Sequence, residues 1–91
     1  MNLKYEEYKE YKLVISSAGH DKDSWYMVVK EEPGYVHIAD GRRRKLEAPK
    51  KKNIKHVSKT RKTIKLDYYT NKSLRKALWA YNFGEEGETN G

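Results

Sequence analysis

Six side chains carry the acid–base and metal-binding chemistry most easily turned to catalysis: His20, His37, His56, Asp21, Asp23 and Asp40. Their spacing does not assemble a site. They follow no helix-turn or cysteine–histidine ligand pattern, there is no cysteine to join them, and His37 alternates with Val36 and Ile38 as an ordinary strand residue. The sequence also lacks a nucleophile motif and a glycine-rich nucleotide loop. We therefore read it as non-catalytic, with no metal and no cofactor.

The chemistry that is concentrated is cationic. Between Arg42 and Lys65 stand twelve Lys or Arg residues against a single acid, Glu47, a local charge of +11 in a chain whose net charge is +7. A charge run kept for solubility needs no such segregation. A surface that meets a polyanion does, and the commonest polyanion is nucleic acid. Within the run, the guanidinium forks of Arg42, Arg43 and Arg44 suit phosphate oxygens or a guanine edge, with Lys45 beside them. Lys50, Lys51 and Lys52 act as point charges that favour a polyanion without choosing its sequence, and Lys55 and Lys59 continue the run.

These residues must be positioned by short strands and one helix. Leu13-Val14-Ile15 reads as a strand running into the turn Ser16-Ser17-Ala18-Gly19, and Trp25-Tyr26-Met27-Val28-Val29 is the clearest strand, bounded by Pro33-Gly34. Trp25 opens that apolar strand and reads as core. Tyr35–Ala39 gives a third strand. Asp40-Gly41 has the chemistry of a type I′ turn, which predicts that Arg42–Leu46 returns as a fourth strand, its arginines on a solvated edge. Residues 48–53 read as a loop, because Pro49 cannot donate to a ladder and three adjacent ammonium groups repel. Ile54–Ser58 is the expected fifth strand.

The period then changes. Leu74, Ala77, Leu78 and Tyr81 recur at helical spacing, with Asn71 as the N-cap, Thr70 as its competitor and Gly84 as the stop. Lys72, Arg75, Lys76 and Trp79 fall on the other side of that helix. They read equally as an extension of the basic surface, with Trp79 as a stacking plane, and as a solvated face over which Trp79 lies flat.

Ninety-one residues make one small domain, and eight Tyr and two Trp supply much of its bulk. The absence of cysteine fits a reducing compartment. No apolar run approaches a membrane span, and the N-terminus lacks the order of a signal peptide. The expectation is a cytoplasmic protein with no membrane partner, monomeric when free.

Residues 13–46 resemble the KOW motif, a strand–loop–strand unit of ribosomal and transcription proteins. The resemblance is carried by Leu13-Val14-Ile15, Ser17-Ala18-Gly19-His20-Asp21-Lys22 and Trp25-Tyr26-Met27-Val28-Val29. Ile38-Ala39-Asp40-Gly41, Arg44-Lys45-Leu46, Pro49-Lys50-Lys51-Lys52 and Lys55-His56-Val57 extend it. Together with Asn71-Lys72 and Leu74-Arg75-Lys76-Ala77-Leu78, these segments are similar to short bacterial KOW-domain RNA-binding proteins, which are akin to large-subunit ribosomal proteins of archaea and eukaryotes. The resemblance implies a mostly β fold, a small SH3-like five-stranded barrel with one C-terminal α-helix. It also implies RNA as the partner, ribosomal RNA in particular, with ribosomal proteins nearby. In the turn, Gly19 lets the backbone approach a phosphate or base, though a tight hairpin needs the same glycine. Lys22 is the candidate phosphate contact and the His20 ring a stacking surface.

The organisation expected is a Tyr- and Glu-rich leader over 1–10, the barrel over 11–60, a connecting segment and helix over 61–83, and a disordered acidic tail over 84–91. The candidate RNA-binding residues are Gly19, His20, Lys22, Arg42, Arg43, Arg44, Lys45, Lys50, Lys51, Lys52, Lys55, Lys59 and Arg75. The alternative is a protein-interaction barrel that recruits a transcription or translation factor, with an aromatic patch that includes Tyr5, Tyr8 and Tyr11.

Overall fold

The structure, a computed structural model, describes residues 9–84. The leader up to Tyr8 and the tail from Glu85 lie outside them. Five strands and one helix follow in order: β1 (Tyr11–Ser16), β2 (Trp25–Glu32), β3 (Tyr35–Ala39), β4 (Lys50–Asn53), a 3-10 turn over Ile54–His56, β5 (Val57–Ile64) and α1 (Asn71–Phe83). The strands form one antiparallel sheet in the order β4-β3-β2-β1-β5, open at its two ends.

The apolar run of β2 is explained by cover on both faces. Met27 belongs to a cluster with Leu13, Ala39, Ile64, Leu74 and Leu78, against which Trp25 and Val29 also pack. Tyr26 and Val28 belong instead to a second cluster with Val14, Val36, Ile38 and Val57. Alternate residues therefore face α1 and the concave side of the sheet, and neither face can be polar.

The concavity follows from connectivity. A flat sheet of this order would hold β4 and β5 about 19 Å apart, four strand spacings. The 3-10 turn joining them spans only about 8 Å. The sheet must coil until its edges approach each other, helped by register shifts between Lys12 and Val14 and between Val28 and Lys30. One contact marks the approach: Lys52 Nζ on the edge strand β4 reaches Ala18 O, in the loop after β1, at 3.1 Å.

Three local expectations are corrected. Arg42–Leu46 is not a strand. The Asp40 carboxylate accepts from the N–H groups of both Arg42 and Arg44 at 2.9 Å, while Asp40 N and Gly41 N donate to Arg44 O at 3.0 Å. The backbone is thereby tied into a closed loop and cannot pair with β3. Lys50–Asn53, expected as a loop, takes that place as β4. Strand alternation separates its ammonium groups: Lys51 turns to Glu32 at 3.5 Å and Lys52 to Asp21 at 3.2 Å. The fifth strand starts at Val57 rather than Ile54, because Asn53 Oδ1 caps Lys55 N and holds Ile54–His56 in the turn.

The helix reads as its stripe requires, with Leu74 and Leu78 buried and Gly84 closing it at φ 70°. Its N-cap is Thr70, whose hydroxyl accepts from Ser73 N at 3.1 Å. Asn71 is used elsewhere, accepting from Leu46 N at 2.8 Å and donating to Glu47 at 2.9 Å.

Candidate nucleic-acid interface

The arginine loop is built against α1. Gly41 has φ 80°, and a Cβ there would collide with Asn71 O and press on Arg75 N at 3.2 Å. Only glycine fits, for both reasons. Arg75 Nη1 donates to Gly41 O at 2.9 Å, and Asn71 holds Leu46 at the far side of the loop. At the other end of the helix, Asn82 accepts from Trp25 N at 2.7 Å and donates to Trp25 O at 3.2 Å. Trp25 itself lies half-buried against Tyr81, ring centroids 4.7 Å apart. Loop, helix and β2 are thus fastened to one another at this end of the molecule.

That end gathers charge. Arg42, Arg43 and Arg75 line a small cavity of about 150 Å³ together with Asp40, Ser24, Leu78, Asn82 and Phe83. Arg42 also lies with its guanidinium carbon 5.1 Å from the centre of the Phe83 ring. The five ion pairs among the described residues use Lys12, Lys30, His37, Lys51 and Lys52, and none uses an arginine. The Asp40 carboxylate, the nearest acid in sequence, is buried and spent on backbone N–H groups. Arg42 and Arg43 are exposed and Arg44 half-buried.

The β1–β2 loop holds the second group. Gly19 takes φ 91°, and Asp23 is also left-handed at φ 73°. His20 and Lys22 are exposed on the loop. The bond from Ser17 to His56 places His56 at the start of this loop, and Ser24, where the loop ends, lines the arginine cavity. The end of the loop therefore borders the cavity.

Asp21 pins this loop from inside. Its carboxylate accepts from Ser16 Oγ at 2.9 Å, Lys52 Nζ at 3.2 Å and Tyr26 OH at 3.0 Å. Burial alone would raise its pKa, but the bonds from Ser16, Lys52 and Tyr26 and the Lys52 charge outweigh it and hold the carboxyl at about 2. Burial first, then the Asp21 bond and charge, push the Tyr26 hydroxyl well above the ordinary tyrosine range. Every buried polar side-chain atom among the described residues has a partner.

Not every residue of the basic run belongs to one surface. Lys52 is 7% exposed and neutralised by Asp21, so it is a structural cation and not a phosphate contact. Lys51 is engaged by Glu32 and by the Tyr35 ring at 4.6 Å. Lys59 sits on β5 opposite Val14, in a groove with Lys12 and Glu31, away from the arginine loop. Lys45 is exposed and Lys50 half-buried, and neither lines the arginine cavity. Phe83 was missed. Its spacing of four from Trp79 was the available signal, and the rings do meet, with centroids 4.2 Å apart. Of the tyrosines offered as an aromatic patch, Tyr11 packs on the core and against Tyr69, and Tyr5 and Tyr8 lie outside the described residues.

Among the described residues no His, Asp and Glu side chains gather as a metal-holding group, and no helix is long and apolar enough to cross a membrane. The chain matches no protein-family model and no curated protein.

Proposed function

We propose that this chain is a non-catalytic RNA-binding protein of the ribosome or of ribosomal RNA, working in the cytoplasm, with an SH3-like barrel of the KOW type. The observation that carries the reading is the arginine loop. Arg42 and Arg43 stand exposed, with Arg44 half-buried beside them, on a backbone locked by Asp40, Gly41 and Asn71, and none of the three forms an ion pair among the described residues. Ordering that loop before binding lowers the entropy lost on docking. The coiled five-stranded sheet, joined across its edges by a 3-10 turn, supports the barrel assignment.

In this reading Arg42, Arg43 and Arg75 grip phosphate oxygens, and Lys22 and Lys55 extend the contact along the β1–β2 loop. Gly19 and His20 supply local recognition of folded RNA. The test replaces Arg42, Arg43 and Arg44 together with Gln. Affinity for ribosomal RNA should fall steeply while the far-UV spectrum and unfolding midpoint stay in place. Unchanged affinity refutes the reading. Competition between ribosomal RNA and duplex DNA separates RNA from generic polyanion binding. Pull-down partners that survive RNase digestion would instead point to protein recruitment.

A further inference from the structure

Trp79 and Phe83 are not accounted for by the core. They are 55% and 47% exposed, stand one turn apart on α1, and pack on each other with their ring planes tilted by 33°. Neither joins the apolar cluster beneath the helix. Rings of this size are usually covered, and two together make an exposed aromatic surface. Their surroundings are cationic. Trp79 shares an open concavity with Arg42, Lys72, Arg75 and Lys76, no acid lines it, and Arg42 also lies over Phe83.

We propose that this face is a stacking site for unpaired nucleotides of single-stranded RNA. The proposal deepens the function given above and rests on it. Trp79 and Phe83 receive the faces of bases, and Arg42, Arg75, Lys72 and Lys76 hold the adjoining phosphates. The chemistry selects the occupant. An apolar protein surface would bury four cations without supplying opposite charge, at a large desolvation cost. A duplex supplies phosphates but keeps its base faces stacked away. Only an unpaired strand presents π-faces and phosphates together. From Phe83 back to Lys72 the helix runs roughly 16 Å, so rings and cations form a track and not a single point.

The experiment titrates the full chain with three probes: a short oligoadenylate, an abasic ribose-phosphate oligomer of the same length, and an RNA duplex of that length. Affinity and tryptophan fluorescence are both followed. Oligoadenylate should bind more tightly than the abasic oligomer and quench the emission. Trp79→Leu keeps an apolar cover but removes the indole plane. It should lower oligoadenylate affinity roughly 5- to 150-fold, the range of one lost base stack, and remove the quenching, while duplex affinity is unchanged. Phe83→Leu should act in the same direction and serves if Trp79→Leu disturbs the fold. Equal affinity for oligoadenylate and the abasic oligomer would overturn the proposal, as would a Trp79→Leu variant with undiminished oligoadenylate affinity. If duplex binding persists in those cases and still depends on Arg42 to Arg44, only the stacking site falls. If none of the three probes binds, the RNA-binding reading falls with it.

Discussion

Replacing Gly41 by Ala tests how firmly the arginine loop is seated on the helix. Two costs can be separated. The first is the left-handed backbone, φ 80°, which an L-residue occupies at a cost of about 1–2 kcal/mol. The second is steric, because the new methyl group would overlap Asn71 O and crowd Arg75 N at 3.2 Å. Both are backbone atoms of the first turns of α1 and cannot rotate away. Relief requires the loop to lift, which breaks the Arg75–Gly41 and Leu46–Asn71 hydrogen bonds, each contributing about 1 kcal/mol. Gly34→Ala is the control, since Gly34 has φ 81° and open space where the methyl group would go. Gly34→Ala should therefore cost about 1–2 kcal/mol and Gly41→Ala about 3–4 kcal/mol. With a urea slope of about 1 kcal/mol/M, their midpoints should differ by about 2 M. Gly41→Ala should also weaken RNA binding at a urea concentration of zero, because Arg42 and Arg75 separate, whereas Gly34→Ala should not. Equal destabilisation by the two substitutions would refute the docking of the loop on the helix.

The Asp21 network gives a pH dependence. Its folded pKa of about 2 lies below the unfolded value of 3.8, so its contribution is complete above pH 4 and is lost as pH falls toward 2. The loss should be about 2 kcal/mol, seen as a falling thermal midpoint over that window. Asp21→Ala strands the Lys52 ammonium and should cost about 3–5 kcal/mol at neutral pH, with Lys52→Met on the same background restoring part of it in a urea melt. Tyr26 works in the opposite direction. Its folded pKa is raised, so stability is complete below pH 10 and declines above it as the unfolded chain ionises first. Asp23→Gly relieves a left-handed residue and should raise stability by about 0.5–1 kcal/mol, measured the same way. Asn82→Ala leaves the Trp25 N–H and C=O without their partner and should cost about 2 kcal/mol, while amide exchange at Trp25 accelerates.

What could be read from the sequence was what neighbouring residues decide. β2 and β3 follow from β-branched and aromatic runs between turns, and α1 from the period of Leu74, Ala77, Leu78 and Tyr81, with Gly84 as its stop. Part of what escaped turned on side-chain caps only a few residues long, Asp40 on Arg44 and Asn53 on Lys55, and the rest depends on residues far apart in the chain. Asp40-Gly41 has the composition of a hairpin turn. Its fate is set by the Asp40 carboxylate reaching Arg44 and by contact with Asn71 and Arg75, thirty and more residues later. Lys52 looks like its neighbours in a lysine run, and only the coiling of the sheet brings it to Asp21. A count of charges cannot distinguish a buried ion pair from an open cation. For the same reason Arg75 could be assigned to the basic surface from its helical position, while its bond to the loop could not. The tryptophan at 79 fell on the outer side of the helix as its spacing required, and its partner Phe83 emerged only once the last turn was in place.

The measurement that bears most directly on the central claim is the salt dependence of affinity for a ribosomal RNA fragment, compared between the natural chain and the variant with Arg42, Arg43 and Arg44 replaced by Gln. If about six phosphates are neutralised, the logarithm of affinity should fall against the logarithm of salt with a slope of roughly −4 to −5, and the variant's slope should be shallower by about 1.5 to 2, the share of Arg42 and Arg43. A flat dependence in the natural chain, or the same slope in both proteins, would contradict the assignment of the arginine loop to RNA phosphates.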